Sequence, residues 1–345
     1  MARSTATQRT QIGKETVPGT AVAATKILGS MGIALNPAVE SEAFRPKGFK
    51  IPTLVQANKE WASLEIDGSA TYDEVIYPLA SVLGVPTVTQ IMDSATPTGA
   101  YRWVFQPNSN AIDTPQTYTL EEGDATYADK VAYGLFTDFD LDFSRDAVEL
   151  GGEGIAQRLT DNVALTAGAT QVSNDLQPIL PGQVCIYVAD TYATLESSPG
   201  VTDTAKRLGN ALAIHPSIGG RFDPVWYLNC VANSFGGHVE TAEPDFDVEF
   251  TVEANALGMA WLSKYRTGQT QFIRIEATGA SIYNAGAALN TNYRLRWDFA
   301  VKVLEPGEKS DEDGVYAIAP ALQVVHDPTW GRATKVEIIN KVSAL

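Results

Sequence analysis

Between Phe136 and Asp146 the sequence runs FTDFDLDFSRD, and here its chemistry-bearing side chains are most closely spaced. Asp138, Asp140, Asp142, Ser144, Asp146 and Glu149 fall at positions 1, 3, 5, 7, 9 and 12 of the EF-hand calcium loop. Position 6, however, holds Phe143 where that loop needs glycine for its sharp turn, and the flanks alternate as strand. The stretch is therefore an EF-hand-like decoy, and no metal is assigned to it. As a strand it places Asp138, Asp140 and Asp142 on one face and Phe139, Leu141 and Phe143 on the other, so that one face is core and the other meets water.

Other chemistry is sparse. His215, His238 and His326 lie in no HxxxH, HExxH or Cys/His cluster. His215-Pro216 matches Asn36-Pro37 in the first half, which makes it a turn rather than a catalytic pair. There is no GxSxG, Walker A loop or strand followed by GxGxxG, and Gly151-Gly152-Glu153-Gly154 has no phosphate-binding lysine after it, so it reads as a bend or hairpin. A glycoside hydrolase using scattered carboxylates stays open with 41 acidic residues, but none stand out as a pair. No catalytic residue and no cofactor is assigned, and the expectation is a protein that is not an enzyme.

Such side chains need elements to hold them. The 345 residues are 44% hydrophobic and 19% charged, a folded composition long enough for two domains. A net charge of −16 argues against gripping nucleic acid, since phosphate affinity comes from Lys and Arg. No apolar run approaches a membrane span, and MARSTATQRTQIG lacks the apolar core of a signal peptide. Cys185 and Cys230 are too few for a disulfide framework and read as buried thiols or a single bridge.

The alternation predicts a mainly β protein with small α content. Ala62, Leu64 and Ile66 share a face, as do Phe246, Val248, Phe250 and Val252, and Tyr293, Leu295, Trp297, Phe299, Val301 and Val303; all read as antiparallel strands buried on one face. Helices are predicted from Tyr72 to Leu83, with Pro78 kinking or shortening it, and from Ala256 to Arg266, capped by Asn255 and stopped by Gly268. The six tryptophans fall mostly in these elements, so core and subunit contact are their expected uses ahead of a carbohydrate platform. EPGEKSDEDG, from Glu305 to Gly314, reads as an exposed hairpin tip, or as a contact to a neighbour.

The halves resemble each other. ETVPGTAVAATKILGSMGIALNP (Glu15 to Pro37) parallels ESSPGVTDTAKRLGNALAIHP (Glu196 to Pro216), sharing E-x-x-P-G, a basic-aliphatic pair (Lys26-Ile27, Arg207-Leu208), a glycine and a closing proline. SLEIDGSATYDEVIYPLASVLG, ending at Gly84, parallels DVEFTVEANALGMAWLSKYRTG, ending at Gly268, at nearly the same offset. Downstream, YRWVFQP and TYTLEEGD answer to QFIRIEATG and NYRLRWDFAVKV. The division this predicts is a β domain with an N-terminal arm over 1–160, a linker over 161–182 and a second β domain with a C-terminal arm over 183–345.

The phrase Q-x-G-x-E-x-x-P-G-T-x-x-A, from Gln11 to Ala23, resembles the opening of tail tube (major tail) proteins of long, flexible-tailed bacteriophages. The Trp61 to Gly84 strand and helix and the Tyr293 to Leu304 strand resemble later parts of the same family, the opening phrase being the specific part. The resemblance implies two tandem, duplicated β-sandwich or half-barrel units, each with one flanking helix. It implies a structural virion protein, assembled in the bacterial host cytoplasm, whose rings stack into the hollow tube that conducts DNA without binding it specifically. With two units per chain, a homotrimer forms a pseudo-hexameric ring; a homohexamer is the rival. Tape measure protein inside, and terminator and distal tail proteins at the ends, are the implied partners, with no membrane. Asp138, Asp140 and Asp142 would then line the lumen and repel DNA within about 8 Å, or else face outside solvent. Stacking would use the N-terminal arm, the ESSPGVTDTAKR loop or the C-terminal arm. The alternative function is a carbohydrate-binding or adhesive β-sandwich module of a phage or bacterial surface.

Overall fold

The computed structural model describes residues 7–197, 206–228, 233–284 and 290–345. The fold is mainly β. The first half contributes β1 (Arg9–Lys14), β2 (Lys26–Leu28), β3 (Met31–Phe44), β4 (Leu54–Ser69), α1 (Ile76–Val82), β5 (Thr87–Asp93) and β6 (Thr96–Phe105). It continues through β7 (Tyr118–Gly123), β8 (Ala128–Phe136), β9 (Phe139–Phe143) and β10 (Val148–Ala156), then the short β11 (Thr160–Val163) and β12 (Thr170–Gln171). The second half brings β13 (Val184–Ala189), α2 (Tyr192–Glu196), β14 (Ala211–Gly219), β15 (Phe222–Val225), β16 (Gly237–Glu240), β17 (Asp245–Glu253) and α3 (Ala256–Thr267). It ends with β18 (Gln271–Asn284), β19 (Asn290–Glu305), β20 (Lys309–Glu312), β21 (Val315–Ile318), β22 (Ala321–Val324) and β23 (Thr334–Asn340).

Antiparallel neighbours run β1–β7–β8–β10–β4–β3 in the first half. In the second they run β13–β18–β19–β22–β17–β14. The lists correspond position by position in chain order, with α1 after β4 and α3 after β17. Two expected correspondences need correction. YRWVFQP does not answer to β18: that place belongs to Tyr118–Gly123, while YRWVFQP forms β6 of an inserted hairpin that pairs with β23, Trp103 opposite Ile338. Alternation looks the same in either strand and does not identify its partner. The closing prolines are also out of step, since Pro37 faces Ala62 whereas Pro216 faces Val248, the counterpart of Leu64; a bulge between Ala211 and Ala213 shifts the register.

Among the described residues strand pairing crosses the halves twice, β9 with β14 and β6 with β23. One apolar cluster runs through both, with Phe139 stacked on Trp297 at 6.4 Å between ring centroids. The 161–182 stretch is sewn to the first half: β12 lies parallel to β2, Pro178 bridges to Thr71, and buried Ile179 donates its N–H to Ala70 O at 2.9 Å.

α1 starts at Ile76 instead of Tyr72, which puts Pro78 in the first turn, where its missing N–H breaks no helical bond. α3 starts as expected, Asn255 Oδ1 accepting from Gly258 N–H at 3.2 Å, and Gly268 ends it at φ +61. α2 has no counterpart among the expected helices. It covers the second face of β13, β18 and β19, so Asp298 and Ala300 are buried as well as Trp297 and Phe299, and β19 is not the one-faced strand expected.

Candidate functional site: a carboxylate face across both halves

β9 is an interior strand, held by β10 on one edge and β14 on the other. Phe139, Leu141 and Phe143 are buried, and Asp140 and Asp142 stand half-exposed on the opposite face. Asp138 lies just before the strand, at the bend where the N–H groups of Thr137 and Asp138 both donate to Glu153 O; Glu153 N–H donates back to Asp138 O, so Asp138 stands opposite Glu153 in the register that β9 keeps with β10. Its carboxylate accepts from Thr137 Oγ1 at 2.5 Å and Gly220 N–H at 2.9 Å, which ties the bend to the end of β14.

The glycine run opposite is not the expected bend or hairpin: Gly151 to Gly154 lie within β10, which pairs with β4 in unbroken register from Glu149 to Ala156. β10 pairs with β9 through Val148–Gly151 and with β8 at Gly154 and Ile155, switching partner at Gly152. A Cβ on Gly152 (φ +159) would stand 2.4 Å from Asp138 O, and one on Gly151 would meet Asp140 Oδ1 at 2.8 Å.

Cross-strand pairing extends the face beyond β9. Asp142 lies opposite Glu149, Asp140 opposite Gly151 and Ser217, Glu153 opposite Glu65, Gly151 opposite Asp67, His215 opposite Glu249, and Ser217 opposite Asp247. Residues directly opposite share a face. Glu65, Asp67, Glu149, Glu153, Asp247 and Glu249 are all exposed, while Leu64, Ile66, Leu150, Val248 and Phe250 between them are buried. The result is one acidic face spread over β4, β10, β9, β14 and β17. No Lys or Arg lies in 63–69, 139–143, 148–153, 211–219 or 245–253. His215 is the one cation-forming side chain there, its Nε2 4.0 Å from Asp140 Oδ2. Partial burial raises the Asp140 carboxyl above the usual range; His215 opposes that rise and Asp142 adds to it. The residues missed from sequence alternate with apolar positions, a signal that was present but had no assigned neighbour.

Extended strand and a tight turn also remove the EF-hand geometry. Ser144 Oγ accepts from Asp146 and Ala147 N–H within the turn, and Asp146 and Glu149 are splayed into solvent. Among the described residues no three His, Cys, Asp or Glu side chains converge as metal ligands.

Other polar centres hold the fold. Glu15 of the opening phrase is buried and accepts from Gly19 N–H, Thr117 Oγ1, Thr119 Oγ1 and Tyr133 N–H at 2.9 to 3.0 Å, so it closes the Pro-Gly turn onto β7 and β8. Glu196, at the corresponding place, accepts from Tyr192 OH at 2.6 Å and from buried Arg274 at 3.1 Å. His238 Nδ1 lies 2.9 Å from Tyr133 OH, and burial lowers its pKa. Trp103, Trp261 and Trp297 are fully buried; Trp61 packs on Trp226, and Trp330 stacks on Tyr192 at 4.3 Å. Cys185 is a free, half-buried thiol, and Cys230 lies outside the described residues.

No helix among the described residues is long and apolar enough to cross a membrane. No protein-family model and no curated protein matches the sequence.

Proposed function

We propose that this chain is a self-assembling structural protein, the tail tube subunit of a long-tailed phage, and that it acts through interfaces and a shared acidic surface without catalysis. The observation that carries the reading is the carboxylate face running unbroken across two halves with the same strand order. That order supports an internal duplication into two tube-type units. β14 of the second unit is covered by β9 of the first, whereas its counterpart β3 has one strand partner, β4, among the described residues. An edge completed inside the chain at one seam and open at the corresponding place suits ring closure, where each neighbour supplies the missing strand.

Three chains then make a pseudo-hexameric ring with the acidic face toward the lumen, the virion tail as its location, and tape measure, terminator and distal tail proteins as partners. Fixed carboxylates without intervening cations would keep passing DNA off the wall within about a Debye length, roughly 8 Å at physiological salt. Native mass spectrometry with negative-stain microscopy tests the reading. Closed rings of three chains are expected; six chains per ring would remove the trimer, and a strictly monomeric chain would remove the assembly reading.

A further inference from the structure

Among the described residues Asp73 is the one buried carboxylate that is left unbonded. It sits wholly inside, on the turn between β4 and α1, and neither oxygen has a hydrogen-bond partner of normal geometry. The other buried carboxylates are held: Glu74 next to it accepts from Gly29 N–H and Ser30 N–H at 2.5 and 2.9 Å, Glu121 from Lys130 at 3.0 Å, and Asp298 from Arg274 at 2.7 Å. A charge buried without partner or solvent is among the costliest arrangements a fold can keep.

Two chain segments close over that turn. From the 161–182 stretch, Gln177 O accepts from Tyr72 N–H at 3.1 Å, and Ile179 N–H donates to Ala70 O at 2.9 Å. From the C-terminal end, Asn340 Nδ2 donates to Tyr72 O at 2.9 Å, and its Oδ1 accepts from Val342 N–H and Trp103 Nε1, both at 3.0 Å. The same segments supply what favours the Asp73 charge, the amides of Gln177 and Lys341 and the Lys341 ammonium, while Glu74 opposes it. Lys341 is a weak counter-charge, since its side chain is 42% accessible and its Nζ lies 3.7 Å from Asp175 Oδ2 and 5.6 Å over the Tyr293 ring. Tyr77 of α1 and Tyr293 of β19 complete the surroundings. Burial first, and the Asp73 charge with it, push both phenols above the usual tyrosine range, so neither ionises in step with Asp73. A metal ion would meet amide hydrogens and an ammonium here, whereas a proton suits the site.

We infer that Asp73 is a proton latch: neutral, it keeps the 173–179 stretch and the C-terminal segment from Asn340 seated on the turn before α1, and ionised, it releases them. Folding raises the carboxyl from near 4 to about 6, so the closed form is favoured most below pH 4 and loses that advantage as pH rises through about 6. Lifting either segment lets water reach the carboxylate, so rising pH acts on these segments first, while the sheet beneath stays paired. The latch needs no second copy of the chain and stands apart from the assembly reading.

Hydrogen exchange of the full chain, read by mass spectrometry and corrected for intrinsic rates, tests the latch. Between about pH 4 and pH 7.5, opening of 173–179 and 340–345 is expected to become easier by roughly 50-fold, with β7 and β8 better protected at every pH. Asp73→Asn is expected to remove the slope in both segments. Protection that is flat with pH in wild type, that falls only in step with β7 and β8, or that keeps its slope in Asp73→Asn overturns the proposal. So does wild-type protection at pH 7.5 that is restored by sodium or potassium chloride and not by choline chloride, which would make the site one for a metal ion. Should Asp73→Asn not fold, the wild-type slope and its comparison with β7 and β8 decide alone.

Discussion

Asp73 is wholly buried at the start of the turn into α1, and its pKa is pushed up to about 6. Burial is the main cause and the Glu74 charge adds to it; the amides of Gln177 and Lys341 and the Lys341 charge pull the other way. With the folded pKa above the unfolded value near 4, its contribution to stability is complete below about pH 4 and is lost as pH rises through about 6. Asp73→Asn is expected to remove that slope, gaining on the order of 2 to 3 kcal/mol over wild type between pH 4 and pH 7.5. Thermal melts across that range check it, and a variant as pH-sensitive as wild type would refute the assignment. Glu15 holds the fold through its hydrogen bonds. Truncating it to alanine leaves two backbone N–H groups and two hydroxyls to find new partners, which is expected to cost about 2 to 4 kcal/mol in urea unfolding.

At the scale of elements, α3 is closed by its own sequence at both ends. Asn255→Ala is expected to cost about 1 kcal/mol through the lost cap, and Gly268→Ala a similar amount because the residue sits at φ +61. Urea denaturation that leaves both variants at the wild-type midpoint would show that packing, with Trp261 fully buried beneath the helix, outweighs the caps. β19 shows the limit of such local reading. Its alternation from Tyr293 to Val303 identified one buried face, but α2 and Trp330 bury the other, and that depends on 192–196 and 330 arriving from elsewhere in the chain.

For the whole molecule, two seams and one shared core mean that neither half is self-contained. Residues 1–182 and 183–345 expressed as separate chains are expected to co-purify and to aggregate when made singly, since separation bares β9, β14, β6 and β23 along their paired edges. Halves that each stay soluble and monomeric, with native-like melts, would contradict this. The acidic face belongs to the same scale, because it exists only when β9 and β14 lie side by side.

The sequence by itself determined what is periodic or immediately local: which side chains of β4, β9, β17 and β19 turn inward, and the cap and stop of α3. These depend on a period of two or on neighbours a few residues away. Only the tertiary structure decided that β9 joins β14, that YRWVFQP meets the C-terminal strand, that Asp138 accepts from Gly220 N–H, and that Glu65, Glu153, Asp247 and Glu249 extend the stripe. Edge pairing is made by backbone N–H and C=O groups that every strand possesses, so the pairing carries no mark in the residue types and is settled only when the shared core forms.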